Sequence, residues 1–278
     1  MDFLKNFPKR IFFLFMSVVT LLCNKMDIPI KPLGPELDLA GYTQVWADEF
    51  NGDRLDETKW RGHNAALGAA PLRAYESGYY SDRCLQVKDG NLILSIRRFD
   101  GSEPGYPAGW YFASVDSMPG FFDTYGYFEC RCRLAKAVSG NSAFWLNCPS
   151  AYDTSIPKEE GVEIDVMESM RYGLRYEGCV EQNVHYFDGT GHQRLHARFF
   201  KTGGNPYEEF NTYGLKWDEN GYTFYINRKE AFHTDFGVSH GPEYIVLSNF
   251  MRDFATKEID GDSADFVVDY VRVYQKQA

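Results

Sequence analysis

The stretch Gly161-Val162-Glu163-Ile164-Asp165-Val166-Met167-Glu168-Ser169 sets three acids among aliphatic residues. Its β-branched residues suit a pleated, half-buried surface, so it reads as a strand. Side chains alternate along a regular strand, which puts Glu163, Asp165 and Met167 on one face and Val162, Ile164, Val166 and Glu168 on the other. The aliphatic face belongs in a core. A regular strand would therefore bury Glu168 among aliphatic groups with no partner, which is costly. One extra residue, a β-bulge near Met167, removes the conflict and returns Glu168 to the face of Glu163 and Asp165.

That placement suits glycoside hydrolysis. Two carboxyls ~5–5.5 Å apart allow one to attack an anomeric carbon while the other protonates the leaving oxygen. Three crowded carboxyls cannot all ionise cheaply, so at least one pKa should rise, as a general acid at neutral pH requires. Asp165, between the two glutamates, is placed to hydrogen-bond a nucleophile and tune its charge. Taken alone, the same three acids also suit a solvated strand face or a calcium ligand cluster.

Working outward, the chain is strands and turns from Tyr42 onward. Asn91 to Arg97 alternates with Leu92, Leu94 and Ile96 on one face, and Gly, Asn and Asp turns separate further strands at Val45–Phe50, Tyr125–Leu134, Ser142–Asn147, Val180–Tyr186, Thr212–Asp218, Tyr222–Asn227, Tyr244–Phe250 and Asp265–Tyr274. Many short strands without helical periodicity imply an all-β sandwich or barrel. No repeat or low-complexity linker divides residues 26–278, so one catalytic domain is expected there.

Residues 1–25 resemble a targeting segment: Lys5, Lys9 and Arg10 precede the apolar run Ile11 to Leu22, which is short for a bilayer span. They imply a secreted or cell-surface protein, with no membrane insertion after processing and with Cys23 as a candidate lipid attachment point. If Met26 is the true start, the protein is cytoplasmic. The six cysteines do not form a metal-site or disulfide-scaffold pattern, and buried free thiols are expected.

Aromatic residues make up 17% of the chain and the net charge is −10. The aromatics suit strands and sugar-stacking platforms alike. The charge excludes nucleic acid as an ordinary partner, since phosphates call for Lys and Arg. It also disfavours a heavily sulfated polymer at long range. A neutral β-linked polysaccharide is the simpler partner, and a monomer is expected.

The sequence Glu163-Ile164-Asp165-Val166-Met167-Glu168 resembles the E-[IVL]-D-x-x-E signature of glycoside hydrolase family 16. Trp46-Ala47-Asp48-Glu49-Phe50-Asn51-Gly52, Tyr125-Gly126-Tyr127-Phe128-Glu129, Ala143-Phe144-Trp145-Leu146, Tyr213-Gly214-Leu215-Lys216-Trp217 and Asp269-Tyr270-Val271-Arg272-Val273-Tyr274-Gln275 are similar to other family segments, in the family's order. The resemblance implies a β-sandwich jelly roll of two antiparallel sheets with a concave glycan cleft, and an endo-acting retaining hydrolase. It implies Glu163 as nucleophile, Asp165 as its helper and Glu168 as acid/base. Trp145 would lie on the cleft floor, and His185 sits where several branches line the cleft. Trp110 is a loop candidate for sugar stacking; Asn249 and Arg252 follow a strand and are weaker candidates. The resemblance also implies a structural calcium at Glu49, Gly90 and Asp269, and no cofactor for catalysis. The family's G-x-W-P wording is replaced here by Ser139-Gly140-Asn141-Ser142. A β-1,3- or β-1,3-1,4-glucan is the expected substrate. The alternatives are a galactan of the agarase or endo-β-galactosidase type, or a non-catalytic carbohydrate-binding jelly roll; transglycosylation would use the same acids.

Overall fold

A computed structural model describes residues 29–62, 72–74, 78–149, 161–170, 172–252 and 257–277. Residues 1–25, the expected targeting segment, lie outside them. Among the described residues there is no α-helix, and no helix is long and apolar enough to cross a membrane.

Two antiparallel sheets face each other. The front sheet runs, in spatial order, through Gly109–Asp116, Tyr244–Met251, Gly140–Asn147, Glu163–Ser169, Cys179–Asp188 and Gly191–Lys201. The back sheet has Ser263–Lys276 beside Gly126–Arg133, then Asn211–Asp218, Gly221–Ile226 and Lys229–Thr234. On its other edge Ser263–Lys276 pairs first with Asn91–Phe99 and then with Tyr42–Asp48. Gly109–Asp116 joins the sheets, because its start also pairs with Asn91–Phe99. This is the expected jelly roll.

The space between the sheets takes up much of the aromatic content. Trp60, Trp217, Tyr111, Tyr213, Tyr222, Phe112, Phe128, Phe144, Phe200, Phe224 and Phe266 are wholly buried. Leu92, Leu94 and Ile96 are buried too, as their alternation predicts. The five described cysteines are buried free thiols. Burying large rings between two sheets is the dominant favourable term of such a fold. It leaves the outer face of the front sheet free to carry polar groups.

Candidate active site

The strand Glu163–Ser169 carries the expected bulge. Against one neighbour, Asp165 faces Asn183 and Glu168 faces Glu181, so three steps on this strand match two on the next. Against the other neighbour, Trp145 faces Asp165 and Phe144 faces Met167, one step against two. The consecutive residues Val166 and Met167 therefore both enter the core with Val162 and Ile164, all fully buried. Glu163, Asp165 and Glu168 share the outer face of the front sheet. Oxygens of Glu163 and Asp165 and a ring nitrogen of His185 lie within 4.8 Å of one another.

Neighbouring strands orient these groups. Asn141 Nδ2 donates to Glu168 Oε1 at 2.9 Å, and Asn183 Nδ2 donates to Glu168 Oε2 at 2.8 Å. Both oxygens of the acid/base candidate are thus fixed by amides. Asn183 Oδ1 lies 2.6 Å from His196 Nδ1. Because the Asn183 amide nitrogen is committed to Glu168, His196 is the donor in that bond. Arg252 stands 3.7 Å from Glu168.

Asp165 is only 3% exposed, and its carboxyl is held well above the usual carboxylate range. Burial is the main cause, followed by the charges of Glu168 and Glu163. His185 moves the other way, to about 4, chiefly through burial and then through Arg194, His192 and Arg252. Burial thus disfavours charge on both members of the pair, and at neutral pH the His185 imidazole is neutral. Their atoms are 3.2 Å apart, yet Asp165 Oδ2 makes no good hydrogen bond. With His185 neutral, the contact is not an ion pair.

A cavity of about 350 Å³ opens over the trio. Glu163, Glu168 and Glu181 line it together with His185, Arg194, His196 and Arg252. Arg194 and His196 come from Gly191–Lys201 on one flank of the acid strand, and Arg252 from just after Tyr244–Met251 on the other. A hollow of about 490 Å³ lies on the back sheet, walled by paired arginines and acids, so size alone does not identify the site.

The remaining candidates divide by strand parity. Trp145 faces Asp165 across the sheet, half-buried on the cleft side, with its indole N–H donating to Ser248 Oγ at 3.2 Å. His185 faces Glu163. Trp110 is half-buried beside Arg98 and does not line the cavity over the acids. Asn249 is a correction. It pairs with Ser142 on the core side of its strand, while Ser248 and Phe250 point to the cleft. Its Nδ2 donates to Leu94 O at 2.7 Å and Ala264 O at 3.1 Å, tying the two sheets together.

The calcium set is a second correction. Both Glu49 oxygens accept from Arg272, at 2.7 and 2.8 Å, and Asp269 pairs with Arg131. Gly90 occupies its turn with φ +72°, as a left-handed position favours. A calcium ion needs free oxygen ligands. Here each carboxylate already has a cationic partner, so the side chains present do not fit a cation.

Asn141, Asn183, Glu181, Arg194 and His196 did not stand out in the sequence. Asn183 and Glu181 follow from His185 by steps of two. Arg194 and His196 lie on Gly191–Lys201, where Arg194, His196 and Arg198 alternate with Leu195, Ala197 and Phe199, a period-two pattern that marks a strand with one polar face.

A front-sheet cleft with paired carboxyls on a bulged strand defines a carbohydrate-active jelly roll. Residues 42–276 match the family described as "Beta-porphyranase A-D, GH16 domain", and the chain belongs to this family of glycoside hydrolases, family 16. It is 27% identical to "Beta-porphyranase E" of Zobellia galactanivorans over 203 residues, 68% of this chain and 67% of that one. With "Beta-porphyranase D" of the same organism it shares 27% identity over 69% of this chain and 47% of the other. It is 26% identical to "Kappa-carrageenase" of Pseudoalteromonas carrageenovora over 83% of this chain and 63% of that one. The chain thus spans about half to two thirds of these relatives. The laminarinase catalytic domain of Thermotoga maritima has the same fold, with a TM-score of 0.68 at 20% identity, covering 85% of this chain and 99% of that one.

Proposed function

We propose that the protein is a retaining endo-hydrolase of an anionic β-galactan, the class to which porphyran and κ-carrageenan belong as sulfated galactans. The observation that carries this reading is local charge. A chain of net charge −10 places Arg194 and Arg252 at the walls of the cavity over its acids, with His185 and His196 beside them. Arg guanidinium is suited to planar recognition of oxyanions such as sulfate. The bulk charge favoured a neutral glucan; the charge within the cleft favours the galactan alternative, and so do the names of the porphyranase and carrageenase relatives.

The chemistry follows from the trio. Glu163 attacks the anomeric carbon as Glu168 gives its proton to the leaving oxygen, forming a glycosyl ester on Glu163. Glu168, now ionised, takes a proton from water, whose oxygen displaces Glu163 and regenerates both groups. Asn141 and Asn183 hold Glu168 in place through both steps. Trp145 supplies a ring face beside Asp165 for sugar stacking. A polymeric substrate cannot cross a membrane, which agrees with the export expected from residues 1–25. A purely carbohydrate-binding module would have no need of a bulge that brings Glu168 beside Glu163.

The test is release of oligosaccharides from porphyran, κ-carrageenan, agarose, laminarin and mixed-linkage β-glucan, with viscosity followed in parallel. The expected result is cleavage of a sulfated galactan, with viscosity falling early as endo-action requires, and strong loss in Arg194→Ala. Cleavage of laminarin with no action on any galactan would overturn the substrate reading.

A further inference from the structure

Asp165 Oδ2 is a buried oxygen without a hydrogen bond. Leaving such an atom unsatisfied costs roughly 1–3 kcal/mol. Asp165 is hydrogen-bonded to Glu168, which leaves Oδ2 turned to His185. A protonated carboxyl has one O–H, so the oxygen turned to His185 is an acceptor in need of a donor. The His185 Nε2 atom, 3.2 Å away, faces it.

His185 is neutral and carries one ring proton. If that proton is on Nε2, Nδ1 must accept a bond. His192 Nε2 stands 2.9 Å from His185 Nδ1, the two rings within 19° of coplanar. His192 is held in turn against Phe187, with centroids 4.7 Å apart and planes at 12°. With the Asp165 proton directed to Glu168, the arrangement that satisfies every atom along this line has His192 Nε2–H donating to His185 Nδ1 and His185 Nε2–H donating to Asp165 Oδ2 after a small tilt of the ring.

We propose that His192, outside the cavity, is a positioning residue for the acid trio: it fixes the His185 tautomer whose Nε2–H supports Asp165. The proposal rests on the acid–base reading of Glu163, Asp165 and Glu168. The other charged or titratable groups facing this line are Arg194, on the same strand as His192, Arg252, after the strand Tyr244–Met251, and His196, whose ring meets that of His185 edge-on at 6.4 Å. Donation into Asp165 stabilises negative charge on the trio, so its loss should raise the apparent pKa at which the nucleophile becomes ionised.

The experiment uses the full chain with ¹⁵N-labelled histidine and two variants. His192→Phe keeps a ring against Phe187 and removes the donor; His192→Gln restores an N–H donor. Ring-nitrogen NMR of the wild type should show His185 as the Nε2–H tautomer, and His192→Phe should disturb it. On the cleaved polysaccharide, His192→Phe should lower kcat roughly 5- to 100-fold with KM little changed. The acid limb of its kcat/KM profile should move to higher pH, and His192→Gln should recover most of both effects. A wild-type His185 in the Nδ1–H tautomer, or a folded His192→Phe whose acid limb is unmoved, would overturn the proposal. If His192→Phe does not fold, the wild-type spectrum and His192→Gln decide. If the wild type cleaves no glycan, the acid–base reading fails, and the ring-nitrogen spectrum still judges the His192 contact.

Discussion

The two sheets treat their carboxylates in opposite ways. On the back sheet Glu129 is wholly buried but receives Arg228 Nη2 at 2.8 Å and Nε at 3.0 Å, with the hydroxyls of Tyr127 at 2.7 Å and Tyr270 at 2.9 Å. Burial alone would raise its pKa; these bonds bring it below the ordinary value. Glu49 is likewise lowered by its bonds from Arg272. On the front sheet Asp165 rises instead, chiefly through burial, with the charges of Glu168 and Glu163 adding to the rise in place of a bonded cationic partner that would offset it. Neutralised carboxylates build structure, whereas crowded ones keep a proton available for chemistry.

Exchanging one group on each sheet should separate the two roles. Glu163→Gln and Glu168→Gln should each lower turnover at least about a thousandfold. Their melting temperatures should hold or rise, because like-charge crowding is relieved. Asp165→Asn should cost less activity. Near-wild-type turnover in either glutamine variant would remove the assignment. Arg228→Ala should do the reverse, leaving Glu129 buried without its cation. A loss near the lower end of ~3–5 kcal/mol in denaturant unfolding is expected, since Arg228 is half exposed, with kcat of the folded protein unchanged.

Glu243 sharpens the comparison at a third place. It is fully buried, accepts from Val162 N at 3.2 Å just before Glu163, and leaves its other oxygen without a hydrogen bond. Burial is the main cause of a pKa raised from 4.5 to about 8. A raised folded-state pKa means the native protein binds the proton more tightly than the unfolded chain. Its contribution to stability is therefore full below pH 4.5 and is lost as pH rises towards 8, by a few kcal/mol in order of magnitude. Glu243→Gln should flatten that part of the stability–pH curve in chemical denaturation. An unchanged slope would show that Glu243 does not titrate in this window.

Much of the front sheet was legible because parity is strict. Val162, Ile164, Val166 and Glu168 cannot all face a core, and that conflict alone located the bulge. Parity misled only where a polar residue lies in the core, as with Asn249, whose partners Leu94 O and Ala264 O belong to distant strands. The back-sheet ion pairs were beyond reach for a related reason. Arg272 and Glu49 are 223 residues apart, and Arg131 and Asp269 are 138 apart, so topology alone brings them together. The basic wall of the cleft had a local signal, since Arg194 and His196 alternate with Leu195, Ala197 and Phe199 along Gly191–Lys201. What no local pattern shows is that this polar face borders the acids of a strand two places away in the sheet.

The central claim is that the bulge sets Glu163 and Glu168 close enough for direct attack on the sugar. It is tested most directly by proton NMR of the first products, before mutarotation, on whichever β-linked polysaccharide is cleaved. Two displacements at one carbon predict that the β-anomer appears first. An initial α-anomer would mean that water attacks between carboxyls held ~6.5–9.5 Å apart, and would contradict the account.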